Sequence, residues 1–402
     1  MPVIVHKGPS LLKTLLTLFF ISGSQAAKNG AFSSLRGPHI TANFPDPCVV
    51  YEPEEGMTFA FATNNRKPGR QHINVQVATS SNNKSWTVQQ NLDALPRIAP
   101  WQTGQSVWAP DVKHLPDGRF LLYYTDSLFH APATHCIGAA SSDTIRGPYM
   151  PLPKPLICPH GGAIDPAGFY DYSTGKRYII YKVDGNSLGH GGSCSNDILP
   201  IHSTPLMLQE VSVYDGMSLI GTPIQILDRD ALDGPLIEAP AMYLSSEGIY
   251  FLFYSSNCFT SSQYHTSYAT ATNITGPFVK ASRPLFITGD YQGLAGPGGM
   301  DIIHHPYTTA AIKDNLNKGK HKHKHTHETE GRMIVFHGRM TTHNDEDMRR
   351  EGRGAKGQTQ RPIHDLHLDF VRGMYSGMVF FKNRTVSLQA ASFESVQSGS
   401  QE

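Results

Sequence analysis

Acidic residues recur around the starts of apolar runs along this chain. They fall in Phe44-Pro45-Asp46-Pro47, Ala109-Pro110-Asp111-Val112, Ala163-Ile164-Asp165-Pro166, Ile237-Glu238-Ala239-Pro240 and Gly299-Met300-Asp301-Ile302. Successive acidic positions are 65, 54, 73 and 63 residues apart. Carboxylates gathered into one pocket could bind a metal, bind a sugar or hydrolyse a glycosidic bond. Hydrolysis needs two carboxyl groups in different protonation states, one protonating the leaving oxygen and the other activating water or attacking carbon. Burial and a nearby like charge raise one pKa and make that group an acid near neutral pH. Trp101, Trp108 and Phe44 stand near these segments and could stack on sugar rings.

For a single Asp-Pro pair, turn chemistry is the simpler account, because Asp commonly marks turns. Five at near-regular spacing point instead to a repeat. The elements between them read as short strands: Phe120-Leu121-Leu122-Tyr123-Tyr124, Tyr178-Ile179-Ile180-Tyr181-Lys182, Tyr250-Phe251-Leu252-Phe253-Tyr254 and Met333-Ile334-Val335-Phe336. Each is aromatic or β-branched, and turn phrases such as Pro116-Asp117-Gly118 precede them. Arg146-Gly147-Pro148-Tyr149 and Thr275-Gly276-Pro277-Phe278 recur 129 residues apart, about two of the acidic periods. Each unit can hold four strands with their loops, and five units predict an all-β chain folded as a single five-bladed β-propeller. The first strand of a propeller blade runs along the central axis, so an acidic residue at its start would point into one axial funnel.

Composition agrees. The 402 residues carry 34 Lys+Arg against 33 Asp+Glu, a formal charge of +1, and only 17% are charged. That balance does not suit a general nucleic-acid binder. A hydrophobic fraction of 39% excludes a disordered chain.

His6, Lys7 and Lys13 precede an apolar run over 15–21, followed by Ser22-Gly23-Ser24-Gln25-Ala26. This order predicts a secretory signal peptide over residues 1–26, with residues 27–402 as one catalytic propeller domain and secretion to the extracellular space. The run is too short to span a membrane. Five cysteines (Cys48, Cys136, Cys158, Cys194 and Cys258) allow up to two disulfides and one leftover thiol, in a pairing left open. Asn83, Asn273 and Asn383 open glycosylation sequons.

Taken in order, the motifs resemble glycoside hydrolase family 43. The resemblance rests on Phe44-Pro45-Asp46-Pro47 and Ser85-Trp86, then Val107-Trp108-Ala109-Pro110-Asp111-Val112. It continues through Ala163-Ile164-Asp165-Pro166 with Gly175-Lys176-Arg177-Tyr178, and Ile237-Glu238-Ala239-Pro240, covering 44 to about 381. It implies a five-bladed enzyme cleaving α-L-arabinofuranosyl or β-D-xylosyl linkages of plant cell-wall polysaccharides with inversion. By the same resemblance Asp46 is the general base, Glu238 the general acid and Asp165 the carboxylate that raises and orients the acid. The family usually has Glu-Gly-Pro where this chain has Glu238-Ala239-Pro240. Trp108, Asp111, Phe44 and Arg361 are expected against the substrate. No cofactor is required for the chemistry. A structural calcium on the axis is implied near His337, in Val335-Phe336-His337-Gly338, although a histidine filling a core position explains that residue equally well.

The expected partner is an oligo- or polysaccharide such as arabinan or arabinoxylan, with no nucleic acid, no membrane, and a monomeric chain. A catalytically silent, lectin-like propeller is the alternative. An invertase-type enzyme would show Asn-Asp-Pro-Asn-Gly where this chain has Pro45-Asp46-Pro47-Cys48. The run His321-Lys322-His323-Lys324-His325-Thr326-His327 reads as a solvated His/Lys-rich insertion near 314–330, more than as a Ni²⁺ or Zn²⁺ site. Leu188-Gly189-His190-Gly191-Gly192-Ser193-Cys194 reads as a rim loop, with Cys194 paired to another rim cysteine.

Overall fold

The aromatic runs form the second strands of a series of antiparallel sheets. The computed structural model describes residues 35–36, 38–66, 72–185, 187–245, 247–290, 294–303, 333–340 and 380–381. Strand β1 (Leu35–Arg36) comes first. The first sheet then runs β2 (Cys48–Glu52), β3 (Met57–Ala62), β4 (Gln76–Ser80) and β5 (Thr87–Val88). The second runs β6 (Trp108–His114), β7 (Phe120–Leu128), β8 (Ala131–Ser142) and β9 (Met150–Pro151). The third runs β10 (Ala163–Asp171), β11 (Lys176–Val183), β12 (Leu206–Val211) and β13 (Leu219–Leu227). The fourth runs β14 (Ile237–Leu244), β15 (Tyr250–Ser256), β16 (His265–Ala271) and β17 (Val279–Lys280). Next, β18 (Leu294–Ile303) pairs with β19 (Met333–Met340), and β20 (Phe380–Phe381) pairs with β1.

The first strands β2, β6, β10, β14 and β18 touch one another in turn, and β18 returns to β2, so the inner strands close a ring. This is an all-β, propeller arrangement. Among the described residues four sheets have four strands and the fifth unit has two, short of the five complete blades expected. Both Gly-Pro phrases fall between third and fourth strands, at 147–148 before β9 and at 276–277 before β17. Their recurrence therefore marks equivalent turns.

The core lies between neighbouring sheets, because each sheet buries both faces. Phe59, Phe61 and Val77 of the first sheet meet Leu122 and Tyr124 of the second. Leu121 and Tyr123 meet Ile179 and Tyr181 of the third, and Ile180 and Leu208 meet Ile237 and Leu252 of the fourth. Val335 of β19 packs with Val49 and Ala60. This interdigitation fixes the inner strands that carry the acidic residues. Disulfides join Cys136 to Cys158 and Cys194 to Cys258, leaving Cys48 as a buried thiol. The second bond ties the loop after β11 to the loop after β15, as expected for the Cys194 rim loop. No helix among the described residues is long and apolar enough to cross a membrane. The segment 1–26, Arg361, Asn383 and the insertion near 314–330 lie outside the described residues.

Candidate active site

Besides Gly296 of β18, one residue in or just before each inner strand takes the left-handed region. These are Asp46 (φ 52°), Ala109 (43°), Asp165 (55°), Ala239 (50°) and Gly299 (55°). Such a turn costs an L-residue roughly 1–2 kcal/mol. Proline follows at 47, 110, 166 and 240, and a residue before proline is disfavoured from right-handed helical geometry. Beyond the kink the strand resumes pairing, with register shifts between Trp108 and Asp111, Ile164 and Ala167, Glu238 and Ala241, and Gly298 and Asp301.

These kinks correct the expectation of five equivalent acids in one ring. Asp46 and Asp165 occupy the kink itself, Glu238 precedes it by one residue, and Asp111 and Asp301 follow it by two. Three carboxylates therefore gather at the upper level and two form a separate cluster below.

Every kink amide is taken up by a neighbouring side chain. The Ala109 N–H donates to Thr63 Oγ1 at 2.9 Å and the Asp165 N–H to Thr125 Oγ1 at 3.1 Å. The Ala239 N–H donates to Asp165 Oδ2 at 2.9 Å and the Gly299 N–H to Ser255 Oγ at 3.0 Å. The Asp46 N–H donates to His337 Nδ1 at 3.0 Å, carrying the sequence of caps from β19 back to the first sheet.

The Asp46 carboxylate is hydrogen-bonded on one of its oxygens. The Thr63 hydroxyl donates to Oδ2 at 2.6 Å, and His337 Nδ1 lies 3.3 Å from Oδ1. Because Nδ1 accepts the Asp46 amide proton, the ring's own proton sits on Nε2. Burial holds the His337 pKa below its ordinary value despite the Asp46 charge, so the ring is neutral at neutral pH. Gly299 makes this packing possible: a Cβ there would stand 2.5 Å from His337 Nδ1 and 3.0 Å from Asp46 Oδ1.

Glu238 lies opposite Ser255 in the β14–β15 ladder and is hydrogen-bonded by the Tyr264 hydroxyl. Burial first, and then the Asp165 charge, push its carboxyl up to about 8, against the pull of Lys182 and Tyr264. The Asp46 charge contributes least of these. Burial and the Asp46 charge push Asp165 up to about 6. Asp165 thus interacts strongly with both other carboxylates, which interact weakly with each other. Its Oδ2 also holds the peptide that follows Glu238, so it acts on Glu238 through both charge and geometry.

The lower cluster works differently. Asp111 Oδ1 is 2.6 Å from Lys113 Nζ, and its Oδ2 accepts the Gly168 N–H at 2.5 Å. Asp301 Oδ2 accepts the Val49 N–H at 2.9 Å. Burial works against the Lys113 charge, but Asp111 and Asp301 outweigh it and keep the ammonium charged. Lys113 offsets one of the two carboxylate charges, and Asp111, engaged by Lys113 and the Gly168 amide, lines the axial recess together with Asp301. Phe44 is corrected: it is 2% exposed and packs with Ile40, Val49 and Val335. Trp101 is likewise a core residue, stacked on Tyr124 at 6.4 Å. Trp108 stays half-buried, its ring 4.6 Å from that of His135.

An open recess runs along the axis past Asp46 and Asp165 to Asp111 and Asp301. Glu238 lies beside that recess, against Tyr264. A calcium ion takes six to eight oxygens. Around His337 the described side chains offer one carboxylate, Asp46, already engaged by Thr63, so they do not build a protein cage for calcium. One group of three or more metal-ligating side chains occurs among the described residues, Cys48 with Asp111 and Asp301, and it does not include His337.

Thr63, Tyr264 and Ser255 are site residues that the sequence reading missed. The glycines of Gly298-Gly299 carried a signal, since a Cβ on Gly298 would stand 2.1 Å from Tyr264 Cε1.

The pattern of Glycosyl hydrolases family 43 matches residues 35–353. The chain belongs to that family. Among curated relatives, the extracellular endo-alpha-(1->5)-L-arabinanase 1 of Bacillus subtilis is 28% identical over 247 residues, covering 57% of this chain and 69% of the relative. An extracellular endo-alpha-(1->5)-L-arabinanase of Thermotoga petrophila is 28% identical over 200 residues, and the match spans 45% of this chain and 38% of that protein. The beta-D-galactofuranosidase xynD of Aspergillus niger is 26% identical over 252 residues, with 58% and 65% covered. Among solved structures, an endo-arabinase from Bacteroides thetaiotaomicron superposes with a TM-score of 0.56 at 15% identity, covering 87% of this chain and 98% of that one. At that identity the likeness speaks for a shared fold. This family 43 chain keeps an acidic residue at each of the three upper positions.

Proposed function

We propose that this family 43 chain is a secreted, inverting glycoside hydrolase that releases L-arabinose or arabino-oligosaccharides from arabinan-type plant polysaccharide. The observation that carries the reading is the unequal environment of its three upper carboxylates. Glu238, pushed up to about 8, holds a proton at neutral pH, while Thr63 orients the Asp46 carboxyl group and His337 holds its backbone amide. In one step, Asp46 takes a proton from water as the water oxygen bonds to the anomeric carbon. The glycosidic bond breaks on the opposite face, and Glu238 gives its proton to the departing oxygen. Solvent then removes the proton from Asp46 and restores one to Glu238. No step is routed through a metal.

The choice of arabinan over xylan rests on the arabinanases among the curated relatives. The two disulfides, which form in oxidising compartments, and the relatives' extracellular names support secretion. The reading takes β18 and β19 as the inner half of a fifth blade, with β20 lying against β19 and β1 paired outside it. The catalytic domain then extends over 27–402.

The test is sugar release from aryl α-L-arabinofuranoside, linear arabinan, aryl β-D-xyloside and xylan by wild type and Glu238→Gln. Wild type should act on the arabinose substrates, and Glu238→Gln should lose at least about 10²-fold in kcat on polysaccharide. Binding of these glycans without any sugar release by wild type would support the lectin-like alternative and overturn the enzyme reading.

A further inference from the structure

The caps on the kink amides follow one rule with one exception. In four units the capping side chain belongs to the residue facing the position just before that unit's own kink. Thr125 faces Trp108, Ser255 faces Glu238, and His337 faces Gly298. The Thr63 N–H donates to the Pro45 carbonyl at 3.1 Å, which makes it the counterpart in the first sheet. Three of these four side chains are small hydroxyls and the fourth is a neutral imidazole. In the third sheet the counterpart, facing Ile164, is Lys182. An ammonium has donors and no acceptor, so it cannot cap an amide N–H. The Ala239 amide is held instead by Asp165, reaching from the kink of its own strand.

Resting on the glycosidase reading, we propose that Lys182 is a positioning residue whose fixed positive charge balances the Asp165–Glu238 pair from the third capping position. It is 1% exposed, and its Nζ donates to the Val183 carbonyl at 3.2 Å. A buried ammonium is costly unless paired. Its charge acts on both Asp165 and Glu238, favouring their ionised forms. The other charged or titratable groups acting on this pair are Asp46, Asp184 and Tyr264. Asp46 and Asp184 oppose ionisation of Asp165, and Tyr264 donates to Glu238. Lys182 is the cation among them. Replacing a small hydroxyl with lysine at this one position thus does two things: it releases Asp165 to hold the peptide after the acid, and it supplies the charge that keeps Asp165 ionised while Glu238 retains its proton.

The test is the pH profile of kcat/KM for arabinan hydrolysis by wild type, Lys182→Met and Lys182→Arg. Without the charge both carboxyl groups titrate higher, so the Lys182→Met profile should move alkaline on both limbs by about half a pH unit or more. Lys182→Arg should restore the wild-type profile. A Lys182→Met enzyme that loses activity equally at every pH, with unmoved limbs, overturns the proposal. A second measurement uses folded wild type labelled with ¹³C at lysine Cε. One lysine resonance should show a titration step that follows Glu238 and vanishes in Glu238→Gln, and the absence of any such step also overturns the proposal. This spectrum needs no turnover. Wild type that hydrolyses no glycan would defeat the glycosidase reading while leaving the lysine titration to decide on Lys182.

Discussion

The Asp165 carboxylate accepts the backbone N–H of Ala239 at 2.9 Å, bonding it to the peptide that directly follows Glu238. Asp165 therefore does two separable things to Glu238. Its charge raises the Glu238 pKa, and its hydrogen bond fixes the strand kink beside it.

Substitutions at Asp165 should separate these roles. Asp165→Asn keeps a carbonyl oxygen that can accept the Ala239 N–H but removes the charge. Glu238 then loses the neighbour that raises it, and the alkaline limb of kcat/KM should move to lower pH. Asp165→Ala removes both, and should cost a further 10-fold or so in kcat through misplacement of the acid. The pH profiles of the two variants, set beside wild type, measure the difference.

Glu238 should also leave a mark on stability. Its folded pKa is raised from an ordinary 4.5 to about 8, so the favourable protonated state is fully present below the unfolded value. That contribution is lost as pH rises through the folded value. Glu238→Gln, which is neutral throughout, should melt like wild type near pH 4. It should melt a few degrees higher than wild type above pH 8. Thermal unfolding followed by circular dichroism across this range is the check.

The kinks give a third expectation. Ala239 holds φ at 50°, where glycine carries no penalty. Ala239→Gly should therefore stabilise the fold by about 1 kcal/mol, measured by urea unfolding. Gly299→Ala is the converse: its Cβ would press on His337 and Asp46. It should destabilise by about 2 kcal/mol and reduce kcat as Asp46 shifts.

Much of this arrangement was legible in the residues. The second strands were visible as aromatic runs, the repeat as spaced acids, and Asp46, Asp165 and Glu238 as the acids that meet. What misled was alignment on the acids themselves. The structural period is carried by the residue before proline in Asp46-Pro47, Ala109-Pro110, Asp165-Pro166 and Ala239-Pro240, where the backbone must kink. Aligned on those prolines, Glu238 moves one residue up the strand and Asp111 two residues down, which places Glu238 and Asp111 at different levels of the axis. Phe44 was misjudged because sequence distance from Asp46 says nothing about which side of the loop a ring faces; it fills the core against Val335. Thr63, Ser255 and Lys182 were hidden because each ends an apolar strand, where a polar residue ordinarily marks only the approach of a loop.

The direct test of the mechanism is the anomeric configuration of the first-formed product, followed by proton NMR during hydrolysis of an aryl α-L-arabinofuranoside. Single displacement by an Asp46-activated water should give β-L-arabinofuranose first, with the α-anomer rising only by mutarotation. Appearance of the α-anomer first would mean a covalent intermediate and would contradict Asp46 as a base and Glu238 as the acid of an inverting reaction.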